Sequence, residues 1–184
     1  MLRQRTPEHS STFLFYGPSG TGKTLMVRSI LTETRSILFD MSPVAMNGIY
    51  NEDKKAAEKL VALVMVTAAK YGPSIIYIDE VEKVFPGKKP KKKGEKKKKK
   101  KEKDKNDPAR IKKALVKWVK KKFLNDETNV TLIGCTNEPE AGSKKEFAKF
   151  FKNSIYFPFP DYTTRRLMWR TFIESTVNKA LELK

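Results

Sequence analysis

The chain has 184 residues and a mass of 21.1 kDa, which suits one domain or little more. Its 39% apolar content can build a core, so full-length disorder is excluded; its single cysteine, Cys135, can form no internal disulfide, which excludes a stapled secreted scaffold and points to a reducing, cytoplasmic compartment. The net charge of +18 is concentrated: Lys88 to Lys122 carries 20 Lys and Arg against 4 Asp and Glu, so a basic segment is attached to a nearly neutral body.

Residues 1–11 are polar and read as a lead-in, with the folded domain expected over 12–184. Thr12–Tyr16 is a short aromatic run that stops at Gly17-Pro18, the pattern of a strand entering a loop. Thr24–Thr32 then places Leu25, Met26, Val27, Ile30 and Leu31 at helical spacing. Ser36–Phe39 is a second strand, and Met41–Asn51, with Pro43 and Gly48, is a loop or broken helix. Glu52–Tyr71 is a helix whose stripe is Ala57, Leu60, Val61, Val64, Met65 and Ala68; Gly72-Pro73 ends it. Its apolar run Leu60–Val66 is far too short to span a bilayer. Ser74–Ile78 is almost wholly apolar, as a strand covered on both faces should be.

Lys88–Lys105 holds thirteen Lys and almost nothing apolar, so it cannot offset its chain entropy and is expected to be a disordered insertion. Asp107-Pro108 reads as a helix cap and first helical residue, followed by Ile111, Leu115, Trp118, Val119 and Leu124 on one stripe. Val130–Cys135 and Ile155–Phe157 are a fourth and fifth strand. Asp161 caps a last helix whose apolar side is Met168, Trp169, Phe172, Ile173, Val177 and Leu181, and Trp118 and Trp169 are both expected in the core. Strands alternating with helices predict an α/β fold with a mainly parallel sheet. His9 is alone and Cys135 has no partner, so a zinc site has no ligands to draw on.

Three segments carry chemistry. Gly17-Pro18-Ser19-Gly20-Thr21-Gly22-Lys23-Thr24 fits G-x-x-x-x-G-K-[ST], with a strand before it and a helix after it. Glycines in such a loop let successive N–H groups point at an anion, and the following helix adds the positive end of its dipole. Lys23 can then reach the outer phosphates of a nucleotide, and the Thr24 hydroxyl can ligate Mg²⁺. Asp79 and Glu80 end an apolar strand: Asp79 stands where a carboxylate would hold Mg²⁺, directly or through water, and Glu80 where a base would orient an attacking water. Two acids closing a strand mean little alone; beside a phosphate loop they complete it. Asn137, after the fourth strand, either contacts the γ-phosphate or the water, or is an ordinary turn residue.

Together these segments resemble the AAA+ ATPases. Tyr16–Thr24 resembles their Walker A segment, Ile75–Glu80 their Walker B, and Thr136-Asn137 their sensor 1, while Phe157–Asp161 with Arg165 and Arg166 resembles the end of the large subdomain. The resemblance implies a three-layer large subdomain with sheet order 5-1-4-3-2, bound ATP or ADP with Mg²⁺, and a helical lid that would follow Lys184. Within the family, Ser36–Pro43, Asp107–Lys113 and Phe159–Arg165 with Met168-Trp169 are most similar to the IQ-motif-and-AAA-domain subunits of the nexin–dynein regulatory complex. That implies a structural or regulatory module in the axoneme of motile cilia and flagella, partnered by other subunits of that complex and by the doublet microtubule. The alternative is an active hexameric mechanical ATPase of the microtubule-severing or unfoldase type.

The chain also departs from the family. Its trans-acting arginine fingers should lie between sensor 1 and the last strand, yet Glu138–Tyr156 contains no Arg, only Lys144, Lys145, Lys149 and Lys152. Lysine lacks the planar, bidentate geometry of a guanidinium, so at most slow hydrolysis is expected. Tyr50 aligns only loosely with the pore-loop aromatic, since Asn51 and Glu52 differ from the usual aromatic-x-Gly, and it reads first as a packed loop residue. The Lys88–Lys105 tract is either a solvated, self-repelling loop or a contact for a polyanion such as acidic tubulin tails; having no aromatics, it gives no support to nucleobase stacking.

Overall fold

The computed structural model describes residues 12–49, 55–87, 107–122 and 129–182. In chain order these form β1 (Thr12–Tyr16), α1 (Lys23–Thr34), β2 (Ile37–Asp40), α2 (Ala56–Lys70), β3 (Ser74–Ile78), α3 (Val81–Val84), a 3₁₀ turn (Pro108–Ile111), α4 (Lys112–Lys122), β4 (Val130–Thr136), α5 (Lys144–Phe150), β5 (Asn153–Tyr156) and α6 (Tyr162–Glu182). The five strands make one parallel sheet in the order β2-β3-β4-β1-β5. Read from the other edge this is 5-1-4-3-2, the order the resemblance implies.

The alternation of side chains along each strand divides the interior into two layers. On one face Leu14, Ile76, Ile78 and Leu132 pack with Leu60, Val61 and Met65 of α2, Leu115 of α4 and the phenylalanines Phe85, Phe147, Phe150 and Phe151. On the other, Phe15, Ile75, Tyr77, Ile133 and Cys135 pack with Val27 of α1. All five residues of β3 are buried, as its apolar run predicts. Gly134 of β4 shows how tight the larger layer is: a Cβ there would lie 2.5 Å from the Phe151 ring and 2.7 Å from a Val81 methyl.

Local signals explain the element ends. Asp107 accepts a hydrogen bond from the Ala109 N–H at 2.9 Å with Pro108 just inside, and Asp161 accepts one from the Thr164 N–H at 2.9 Å. Both are the caps that sequence predicts. Thr164 also holds the exposed Asp161 carboxyl below its usual range through its hydroxyl and N–H. The fifth strand begins two residues before its apolar run, at Asn153, because pairing to β1 and not hydropathy sets its limits.

Trp169 contradicts the core expectation. Trp118 is partly buried against the larger layer, but Trp169 is 65% exposed. The whole predicted stripe of α6, from Met168 to Leu181, is exposed with it. The physical reason is placement: α6 leaves the sheet from its edge strand β5, itself exposed along its length, and no described element covers it. The Lys88–Lys105 tract, Tyr50 and Leu124 lie outside the described residues.

Candidate functional site

Parallel strands deliver their C-terminal ends, and the loops that follow, to one edge of the sheet. Here that edge gathers residues 17–24 after β1, Asp79-Glu80 after β3 and Asn137 after β4. The central position of β4, between β1 and β3, brings the three together. The Gly17 N–H donates to the Thr136 carbonyl at 3.3 Å, which pins the start of the loop one residue from Asn137. Asn137 itself is exposed.

The loop owes its path to three glycines. Gly20 and Gly22 take φ of +79° and +90°, a region that L side chains enter only with strain, and both face open space. Gly17 serves a different purpose: a Cβ there would come within 2.2 Å of the Phe157 carbonyl oxygen, so only glycine lets β1 pass the exit of β5. Pro18, Ser19 and Thr21 complete the turn, and the Thr21 hydroxyl closes it by donating to the Pro18 carbonyl at 2.9 Å. Gly22 is the N-cap of α1 and caps it without a side chain, leaving N–H groups of the first turn directed into the loop.

Lys23 is buried to 6% exposure, and its ammonium donates to the carbonyls of Gly17 at 2.8 Å and Pro18 at 2.6 Å. Among the described residues no carboxylate pairs with it. With a longer contact to the Thr21 hydroxyl at 3.4 Å, every hydrogen-bond partner of this sequestered cation among the described residues is neutral, which favours the arrival of an anion. Thr24, one residue on, is exposed, and its hydroxyl lies 3.4 Å from the Tyr77 hydroxyl of β3. The phosphate-type loop therefore touches the strand that leads into Asp79-Glu80.

The acidic end is itself anchored. The Asp79 N–H donates to the Ser42 hydroxyl at 2.9 Å, and an Asp79 carboxylate oxygen accepts the Glu80 N–H at 2.9 Å. Glu80 adopts φ +48°, an unusual backbone for a non-glycine residue, and its carboxylate pairs with Lys83 at 2.6 Å. That pair raises the Lys83 pKa. Burial raises the Tyr77 pKa, opposed by the Thr24 hydrogen bond and helped by the charges of Cys135 and Asp79. Burial, with the Asp79 charge, also pushes the Cys135 thiol up to about 12.

The sequence-predicted residues Gly17 to Thr24, Asp79, Glu80 and Asn137 thus share one edge of the sheet. The donors on offer for a metal, the Thr24 hydroxyl and the Asp79 carboxylate, are hard oxygens of the kind Mg²⁺ selects, with a nucleotide and water left to complete its shell. Sequence reasoning missed Ser42, Tyr77 and Lys83. Tyr77 was detectable, since residues two apart on a strand share a face and Asp79 follows it by two; Lys83 lies a helical turn from Glu80.

Residues 13–159 match the family model "ATPase family associated with various cellular activities (AAA)". This chain belongs to the AAA family. Membership implies nucleotide binding, and the matched span contains every residue of the site. Dynein regulatory complex protein 11 of Mus musculus is 30% identical over 177 residues, covering 94% of this chain and 19% of that protein. Fidgetin-like protein 1 of Drosophila melanogaster is 29% identical over 153 residues (83% of this chain, 26% of that protein). Spastin of Anopheles gambiae is 28% identical over 172 residues (92% and 18%). The chain therefore spans only about a fifth to a quarter of the length of these relatives. In three dimensions it is similar to the FIGL-1 AAA domain crystallised with ADP, with a TM-score of 0.65 at 20% identity over 89% of this chain and 48% of that one. That similarity establishes the fold, the AAA+ large subdomain. Among the described residues no helix is long and apolar enough to cross a membrane.

Proposed function

We propose that this AAA module binds ATP and ADP with Mg²⁺ and serves a nexin–dynein regulatory complex of the ciliary axoneme as a nucleotide-stabilised structural and regulatory element, hydrolysing ATP slowly. The observation that carries the binding proposal is Lys23: a buried ammonium inside a glycine loop, with no anionic partner among the described residues. In this reading the loop N–H groups and Lys23 hold the β- and γ-phosphates, and Thr24 and Asp79 hold Mg²⁺, which supplies charge neutralisation at the phosphates when bound. Glu80 orients water, and Asn137 contacts the γ-phosphate or that water. Slow turnover is supported by the absence of Arg from Glu138 to Tyr156 and by the Lys83 ion pair, which occupies the Glu80 carboxylate. The axonemal assignment, with neighbouring subunits and the doublet microtubule as partners, is supported by the similarity to dynein regulatory complex protein 11. In that setting the Lys88–Lys105 tract meets acidic tubulin tails.

The intact Asp79-Glu80 pair and the similarity to spastin and fidgetin-like proteins favour a second reading, an active hexameric ATPase. Particle mass in Mg·ATP, measured on the Glu80→Gln variant so that nucleotide is retained, separates them. A one-chain particle of the variant, with the unsubstituted chain turning over far below once per second, supports the structural role; a six-chain particle, with the unsubstituted chain turning over at the usual ~1–10³ s⁻¹, overturns it.

A further inference from the structure

Tyr77 sits on the strand that the loop touches, within the Ile75–Glu80 segment, where it occupies an otherwise apolar run and has no assigned role. Its ring is part of the smaller core layer beneath α1, with the residue only 6% exposed. Packing alone would be served by phenylalanine. The hydroxyl, however, is placed 3.4 Å from the Thr24 hydroxyl, on a different element 53 residues away. Asp79 follows Tyr77 by two residues, the spacing that puts side chains on one side of an extended strand. One Asp79 oxygen is already occupied by the Glu80 N–H, and the Asp79 N–H is fixed by Ser42. Asp79 is thus fixed at its backbone N–H and at one carboxylate oxygen, which leaves the other oxygen for a further donor.

We infer that Tyr77 is a positioning residue for the divalent cation: its hydroxyl accepts the Thr24 proton and donates its own to Asp79, tying the two magnesium-binding groups into one preset unit. The chemistry follows from hydroxyl geometry. A threonine oxygen that gives a lone pair to a cation must send its proton elsewhere, and an acceptor already in place removes the need to find one in water. A buried phenol suits that task because it is rigid and one end of it is polar. The inference rests on the nucleotide-binding reading and adds to it a residue that acts on the metal rather than on the nucleotide.

The test is Tyr77→Phe in the full chain, which keeps the ring and removes one oxygen. Binding of a fluorescent ATP analogue is followed against free Mg²⁺, and again in excess chelator. The expected result is a rise of about fivefold in the Mg²⁺ concentration needed for half-maximal enhancement of binding. Affinity in chelator and the thermal midpoint without nucleotide should stay close to those of the unsubstituted chain. An unchanged Mg²⁺ requirement overturns the inference while leaving nucleotide binding intact. An equal loss of affinity with and without Mg²⁺ also overturns it, because the phenol would then be shaping the loop as a whole. If the unsubstituted chain binds no nucleotide in either condition, the underlying reading fails, and this inference fails with it.

Discussion

At the residue scale, the three loop glycines look alike in sequence and differ in cause. Gly17→Ala drives a Cβ into the Phe157 carbonyl, a backbone atom that cannot rotate away, so it should destabilise the chain by about 3 kcal/mol in urea unfolding. Gly20→Ala has open space and meets only the strain of positive φ, so its cost should be near 1 kcal/mol. Cys135 gives a second prediction. Its thiol is buried and pushed up to about 12, so iodoacetamide at pH 8 should leave it unmodified in the folded chain and alkylate it in denaturant. The folded pKa is raised above the unfolded value of about 8.5, so the contribution to stability is complete below that value and is lost as pH climbs toward 12. Tyr77, also raised, adds a loss of the same sign at still higher pH. Chemical-denaturation midpoints across pH 7 to 11 should therefore fall on the alkaline side. The phosphate-loop residues and Asp79-Glu80 were legible because their spacing is itself the signal. Tyr77 and Lys83 carried a weaker signal, their spacing to Asp79 and Glu80, while Ser42 carried none, because its hydrogen bond to the Asp79 N–H joins segments 37 residues apart.

At the scale of elements, hydropathy periodicity located α1, α2, β3 and β4, and their limits moved by only a few residues. β3, β4 and one face of α2 are buried, so their sequences carry the imprint of the core; α1 buries only Lys23 and Val27, with Ile30 and Leu31 partly covered and Leu25 and Met26 exposed. Periodicity misjudged α6. Leu167, Met168 and Trp169 are consecutive and span about 200° of the helix circumference, so no single stripe describes them, and the helix lies exposed beyond the sheet edge. A pattern shows that a face is apolar; it does not show what covers it. The two tryptophans make this measurable. Iodide should quench Trp169 strongly and Trp118 weakly, so Trp169→Phe should remove most of the quenchable emission. Equal quenching of both would place α6 against the body of the protein.

At the scale of the whole molecule, alternating strands and helices gave the α/β class, but the strand order came from resemblance, since parallel crossovers leave many orders open to a single sequence. That order matters because it sets β4 between β1 and β3 and so joins loop, acids and Asn137 at one edge. The central claim is that this edge binds a nucleotide through Lys23. Calorimetric titration of Mg·ATP into the full chain and into Lys23→Ala tests it directly. Saturable one-to-one binding to the unsubstituted chain is expected, and its loss, by a hundredfold or more (about 3 kcal/mol), in the variant. Binding of equal strength to both, or none to the unsubstituted chain, would contradict the claim.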